Sequence, residues 1–217
     1  MTSEEVFRSL LLARNFICGV GVVARTSCYR RVGKFDESLD RSQDYEMWIQ
    51  RARHFKGFPI PQSTVDVREH SGPHGAASYR FDAAGMGKKQ HQYHRLIFEK
   101  VHREIPLAEI FGDLSAPEHH LNALVERMWM MAKGLLVVQV REDLESLKNL
   151  LESNPDLGLE PAAGSCLTFL VKVFKEKGHA SLSETMRSIL VAHTHENYKM
   201  KTPVGAAIWD SVEVSFS

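Results

Sequence analysis

Residues 32–52 read VGKFDESLDRSQDYEMWIQRA, and the reading of this stretch decides what the rest of the chain is taken to be. Ser42 stands where a helix N-cap is wanted. The residues after it place Tyr45, Trp48, Ile49 and Ala52 on one face, at the spacing of three and four that a helix requires. Gly57 and Pro59 stop that helix. Asp44 falls in its first turn, where free backbone N–H groups and the positive end of the helix dipole favour a carboxylate. A carboxylate fixed at a helix start beside a loop can take a proton from a bound hydroxyl. Acidic residues are also common in first helical turns, so the same residue read alone equally serves the helix start.

Outward from this helix the first third of the chain mixes signals. Phe7–Ala13 is a short helical run. Phe16–Val23 predicts a buried strand, with Gly19 and Gly21 where another backbone or a ligand approaches closely. Arg25–Val32 predicts a short helix ended by Gly33. Phe35–Arg41 is a loop, and Ile60–Val67 a second strand. Residues 70–86 are rich in Gly, Ser and Ala without periodicity, the mark of a long functional loop. Helical spacing resumes over Gly87–His102. It continues in Glu118–Val138, Arg141–Leu151 and Cys166–Lys175, and in a last helix from Ser181, where Ser181 and Glu184 fit a capping box. Short connections between them predict antiparallel hairpins.

Composition sets bounds. The 217 residues carry 27 Lys plus Arg against 27 Asp plus Glu, so no bulk charge draws nucleic acid or anionic lipid. Three cysteines without regular spacing argue against a disulfide framework and point to a reducing compartment. No apolar run reaches the ~18 residues of a membrane helix. Eleven histidines raise a metal question. His91 and His94 are three apart, but no HExxH motif is present, and a solvated helix face explains them as well. Trp129 among Met128, Met130 and Met131 reads as core packing.

The stretch 32–52 resembles the family 2 glycosyltransferase segment that runs, loosely, G-x-F-D-E-x-L, a short gap, then E-D-Y-x-L-W-x-R. In that family the Asp of the E-D pair is the base that deprotonates the acceptor hydroxyl, and the matching residue is Asp44. Gln43 replaces the usual Glu, Trp48 matches in place, and Arg51 matches one position away. Upstream, RNFICGVGVVARTSCYRRVGKFDE (14–37) is similar to the family's acceptor-site stretch, with Asn15 and Arg25 in the matching positions. Downstream, STVDVREHSG (63–72) is similar to the strand that ends in R-x-H, which Arg68 and His70 match. Together the likeness covers roughly residues 10–100.

The resemblance implies an α/β fold: residues 1–105 as the acceptor-side part of a GT-A-like sheet with packed helices, and 106–217 as a helical carboxyl-terminal region. It implies inverting transfer of a sugar from a nucleotide-sugar donor to a glycan, lipid-linked or protein acceptor, as in polysaccharide biosynthesis. Asp44 would be the base, and Asn15 and Trp48 would meet the acceptor. Arg68 and His70 would meet the donor diphosphate, with His70 holding Mg2+ or Mn2+. Lys88 and Lys89 are further candidates for the diphosphate, or plain surface lysines. The expected location is cytoplasmic, at the inner face of a membrane for a peripheral enzyme, with no nucleic-acid partner. The family's acidic D-x-D motif has no counterpart in the fourteen residues before Asn15. The expectation is therefore a chain inactive alone, with a partner chain supplying the nucleotide-binding half. The competing expectation is an inactive homologue serving as a protein-interaction module.

Overall fold

A computed structural model describes residues 2–63, 65, 66 and 83–193. Helix accounts for 69% of it, and no strand occurs among the described residues. The α/β expectation with its GT-A-like sheet is thereby overturned: the described chain is all-helical. The reason is visible at both predicted strands. A strand is stable only when its edge is paired and one face is covered. Phe16–Val23 instead runs as extended chain broken by a single 3-10 turn at Gly19–Gly21, with Phe16 47%, Val20 68% and Val23 92% exposed. In the second segment Pro59 and Pro61 lack N–H donors for a ladder, and Phe58 and Ile60 are open to solvent. Thr64 and residues 67–82 lie outside the described residues, and with them the end of that predicted strand and the long loop up to Asp82.

The chain divides into two compact units, 1–97 and 98–217. In the first, α1 (Ser3–Leu12) is longer at its start than the apolar pattern predicts. A capping box explains this: the Thr2 hydroxyl accepts from the Glu5 N–H and the Glu5 carboxylate accepts from the Thr2 N–H. The T-x-x-E spacing was there to be read. Helix α2 (Thr26–Val32) ends at Gly33, whose φ of 95° only glycine adopts without strain. Helix α3 (Gln43–His54) packs its Tyr45, Met47, Trp48 and Ile49 inward. Phe7, Leu10 and Leu11 of α1, Leu39, and Tyr93 and Ile97 of α4 (Ala83–Glu104) complete the unit's core.

Two side-chain hydroxyls tie this unit together. The Tyr45 phenol donates to the Leu10 carbonyl at 2.5 Å, one of the last four carbonyls of α1, which have no partner within their own helix. The Tyr93 phenol donates to Asp40 at 2.8 Å. Burial pushes the Tyr45 phenol well above its ordinary pKa of 10.0, so it stays a donor at every physiological pH.

The second unit is built from two helical hairpins. Helices α6 (Pro117–Lys133) and α7 (Val137–Ser153) pair across a three-residue break, and α8 (Pro161–Glu176) pairs with α9 (Ala180–His193). A short α5 (Leu107–Phe111), not expected from periodicity, leads into α6. Ser181 lies inside α9 rather than capping it. The turn between α8 and α9 is a Schellman motif: the His179 N–H bonds the Phe174 carbonyl, the Gly178 N–H bonds that of Lys175, and Gly178 has φ 83°. The methionines behave as core, with Met128, Met130 and Met131 all buried.

Among the described residues of this unit, one carboxylate is buried in the hydrophobic interior. Asp143 of α7 is 1% exposed. Arg127 of α6 grips it through Nε, which donates to Oδ2 at 3.0 Å and Oδ1 at 3.1 Å, and through a terminal nitrogen that donates to Oδ1 at 2.5 Å. The His102 ring nitrogen stands 3.4 Å away. Removing one member of such a pair leaves a buried charge uncompensated. Asp143→Ala is therefore expected to destabilise the unit by ~3–5 kcal/mol, measured by native-state hydrogen exchange of the α6 and α7 amides. Unchanged protection would mean that solvent reaches Arg127 freely.

Burial also lowers the pKa of Lys133, at the end of α6, from 10.5 to about 8. Between those two values the unfolded chain binds more protons than the folded one, so stability rises with pH. Below pH 8 both states are protonated and the burial penalty is felt in full. Burial pushes the Cys166 thiol up from 9.0 to about 12, which acts in the opposite sense above pH 9. The wild type is expected to resist urea better at pH 9 than at pH 8, and Lys133→Met to lose that difference.

Candidate functional site

The first turn of α3 carries Asp44, the carboxylate that the sequence reading singles out. Ser42 occupies the N-cap position but has left-handed backbone (φ 61°, ψ 16°), and its side chain makes no capping bond. Asp44 does part of that work instead: its Oδ1 accepts from the Tyr45 N–H at 2.8 Å. The helix-start role weighed from sequence is thus real, but it uses only one oxygen.

The other oxygen, Oδ2, accepts from the Asn15 side-chain amide at 3.3 Å. The orientation of that amide follows from its second bond, since Asn15 Oδ1 accepts from the Ile17 N–H at 3.1 Å and leaves only the NH2 group to face Asp44. Gly19 lies against the same oxygen. A Cβ built there would stand 3.5 Å from Asp44 Oδ2 and 3.9 Å from the Trp48 ring. Glycine therefore leaves Oδ2 uncovered on one side, and a carboxylate oxygen with one donor has a lone pair to spare. The fold brings together Asn15, Asp44 and Trp48, three of the residues singled out from sequence, although Asn15 and Asp44 are 29 positions apart.

Trp48 is 4% exposed, so it forms a wall of this site rather than an open stacking platform. Its indole N–H has no hydrogen-bond partner among the described residues. Two residues were not assigned a role from the sequence. For Gly19 the sequence indicates only a place of close approach. Arg51, one turn beyond Trp48, is 7% exposed with its guanidinium 3.5 Å from the centre of the Tyr29 ring. The spacing 44, 48, 51 along one helix face was the available signal.

Arg68 and His70, expected at the donor diphosphate and its metal, lie outside the described residues. The side chains of Lys88 and Lys89 are likewise not described. Among the described residues no three His, Cys, Asp or Glu side chains gather into a set that would hold a metal ion. His91 is exposed, and His94 sets its ring edge-on to Tyr45 at 5.2 Å, a packing role. Cys18, Cys28 and Cys166 are all free thiols. No described helix is long and apolar enough to cross a membrane. Comparison of the chain with protein-family models, curated proteins and solved structures gives no match.

Removing the Asn15 amide should loosen the Asp44 carboxylate without opening the core. Asn15→Ala is expected to cost ~1 kcal/mol, the worth of an ordinary hydrogen bond, in urea unfolding of the first unit. Gly19→Ala is expected to stay within ~0.5 kcal/mol of wild type, as surface substitutions do, because its Cβ meets only ordinary van der Waals contacts. A large loss from Gly19→Ala would show the loop to be packed more tightly than these distances allow.

Proposed function

We propose that the Asn15–Asp44–Trp48 site is the acceptor-hydroxyl site of an inverting glycosyltransferase, with Asp44 as the base. One observation supports this above the others: an Asn and an Asp distant in sequence are hydrogen-bonded at a helix start, beside a glycine that leaves one carboxylate oxygen approachable. The chemistry follows from the two oxygens. Oδ1 is held by the Tyr45 N–H and fixes the carboxylate plane. Oδ2 accepts the proton of the acceptor hydroxyl as that oxygen forms its bond to the anomeric carbon, while the bond to the nucleoside diphosphate breaks on the opposite face. Asn15 orients the base and supports the charge it carries before the proton arrives. A divalent ion on the leaving diphosphate, Mg2+ or Mn2+, would supply charge neutralisation there; His70 is the family-type candidate for holding it.

Under this reading the donor is a nucleotide sugar and the acceptor a glycan, a lipid-linked saccharide or a glycoprotein. The protein then works in the cytoplasm, at the inner face of a membrane when the acceptor is lipid-linked. The donor is held by a nucleotide-binding half of the family type. A second reading, an inactive homologue that binds a protein partner, draws on the exposed apolar side chains of Phe16, Val20, Val23, Phe58 and Ile60.

Sugar transfer from UDP- and GDP-sugars with Mn2+ to a panel of glycan acceptors separates the two. The assay is supplemented with extract of source cells lacking the native chain, as provider of the nucleotide-binding half. Transfer that depends on the added chain and falls ~10²–10⁴-fold in Asp44→Asn, the usual weight of a general base, is the expected outcome. Transfer at full rate with Asp44→Asn, or no chain-dependent transfer from any donor, favours the interaction module.

A further inference from the structure

Arg51 presents a problem that its surroundings do not solve. The residue is 7% exposed, and Nε and both terminal nitrogens are buried with no hydrogen-bond partner among the described residues. A guanidinium cannot shed its proton to escape burial. The nearest buried carboxylate on the same helix, Glu46, accepts from Gln50 at 3.3 Å and makes no bond to Arg51. What Arg51 has instead is aromatic: the Tyr29 ring at 3.5 Å and the Trp48 ring at 5.1 Å. Cation–π contacts offset part of the desolvation of a charge. They satisfy none of its N–H donors, which lie in the plane of the group. Beside them the Trp48 indole N–H is a further buried donor without an acceptor among the described residues.

We propose that Arg51 and the Trp48 indole N–H form a binding site for an oxyanion, a carboxylate or a phosphate group, which Tyr29 covers when the site is empty. A planar fork of N–H donors matches both anions in two-point fashion. The cover sits on a lightly anchored element. Tyr29 sits on α2, a seven-residue helix with no buried residue and no side-chain cap, and elements with few buried contacts open at low cost. The site is independent of the sugar-transfer reading. It shares Trp48 with the Asp44 site and lies seven residues further along the same face of α3, ~10 Å by helical rise.

The test follows the indole N–H resonance of Trp48 in the full chain, identified among the three tryptophans by its loss in Trp48→Phe. Inorganic phosphate and acetate are titrated separately at constant ionic strength, with chloride as the balancing ion. A saturable shift is expected with phosphate, weakened at least tenfold in Arg51→Met and tightened severalfold in Tyr29→Ala. A matching shift with acetate means that the site takes carboxylates as well; a response to phosphate alone limits it to phosphoryl groups. Arg51→Met is also expected to raise Tm in chloride buffer, since a buried charge without an anion is removed, and to lose the phosphate-dependent rise of the wild type. No saturable shift with either anion, an unchanged shift in Arg51→Met, or equal affinity in Tyr29→Ala overturns the proposal. Should Arg51→Met fail to fold, Arg51→Lys keeps the charge without the fork and is expected to weaken phosphate at least tenfold; equal affinity there also overturns it.

Discussion

The hydrogen bond from the Tyr45 phenol to the Leu10 carbonyl is the constraint on which the candidate site depends. It joins the first turn of α3 to the last turn of α1. Asn15 follows the end of α1 by three residues and Asp44 precedes Tyr45 by one. Fixing one backbone against the other therefore fixes the amide against the carboxylate. The bond is buried and meets a carbonyl that helix geometry leaves without a partner, so its loss would expose both ends of the contact to an unmet demand. The apolar face of α3 supplies the rest of the anchoring. Asp44 and Arg51 flank Trp48 on the same helix that fills the core.

Much of this helix was legible in the sequence. The spacing of Tyr45, Trp48 and Ile49 predicts the buried face of α3, and Gly33 predicts the end of α2, because each rests on a local rule of geometry. The association of Asn15 with Asp44 was legible only through family resemblance. Nothing in the residues between them announces a contact across 29 positions. Ser42 makes no capping bond for a related reason: residue preference says that serine suits a helix start, but not which φ the incoming loop imposes. The spacing 44, 48, 51 puts Arg51 on the face of Asp44 and Trp48 but does not announce its burial, since arginine on a helix is ordinarily solvated.

The predicted sheet failed for a physical reason that periodicity does not contain. Alternation and apolar content at Phe16–Val23 say that a segment suits a strand; they do not supply the neighbouring edge. In the described chain no neighbouring strand pairs with them, and Phe16, Val20 and Val23 remain exposed. The helical hairpins of the second unit were easier to read because α-helices satisfy their own backbone. Their apolar stripes, such as Leu144, Leu147 and Leu151 of α7, need only another stripe to cover them. The salt bridge buried between α6 and α7 had no sequence signal, as Asp143 and Arg127 read as surface charges.

The claim that matters most is that Asp44 Oδ2 meets an acceptor hydroxyl. The carboxyl-carbon resonance of Asp44, followed while the chain is titrated with a panel of saccharides, tests it most directly. The account predicts a saturable change at that carbon, together with the side-chain amide of Asn15, for at least one saccharide. Saccharides that bind elsewhere and leave both signals unmoved, or no saccharide binding at all, would contradict it.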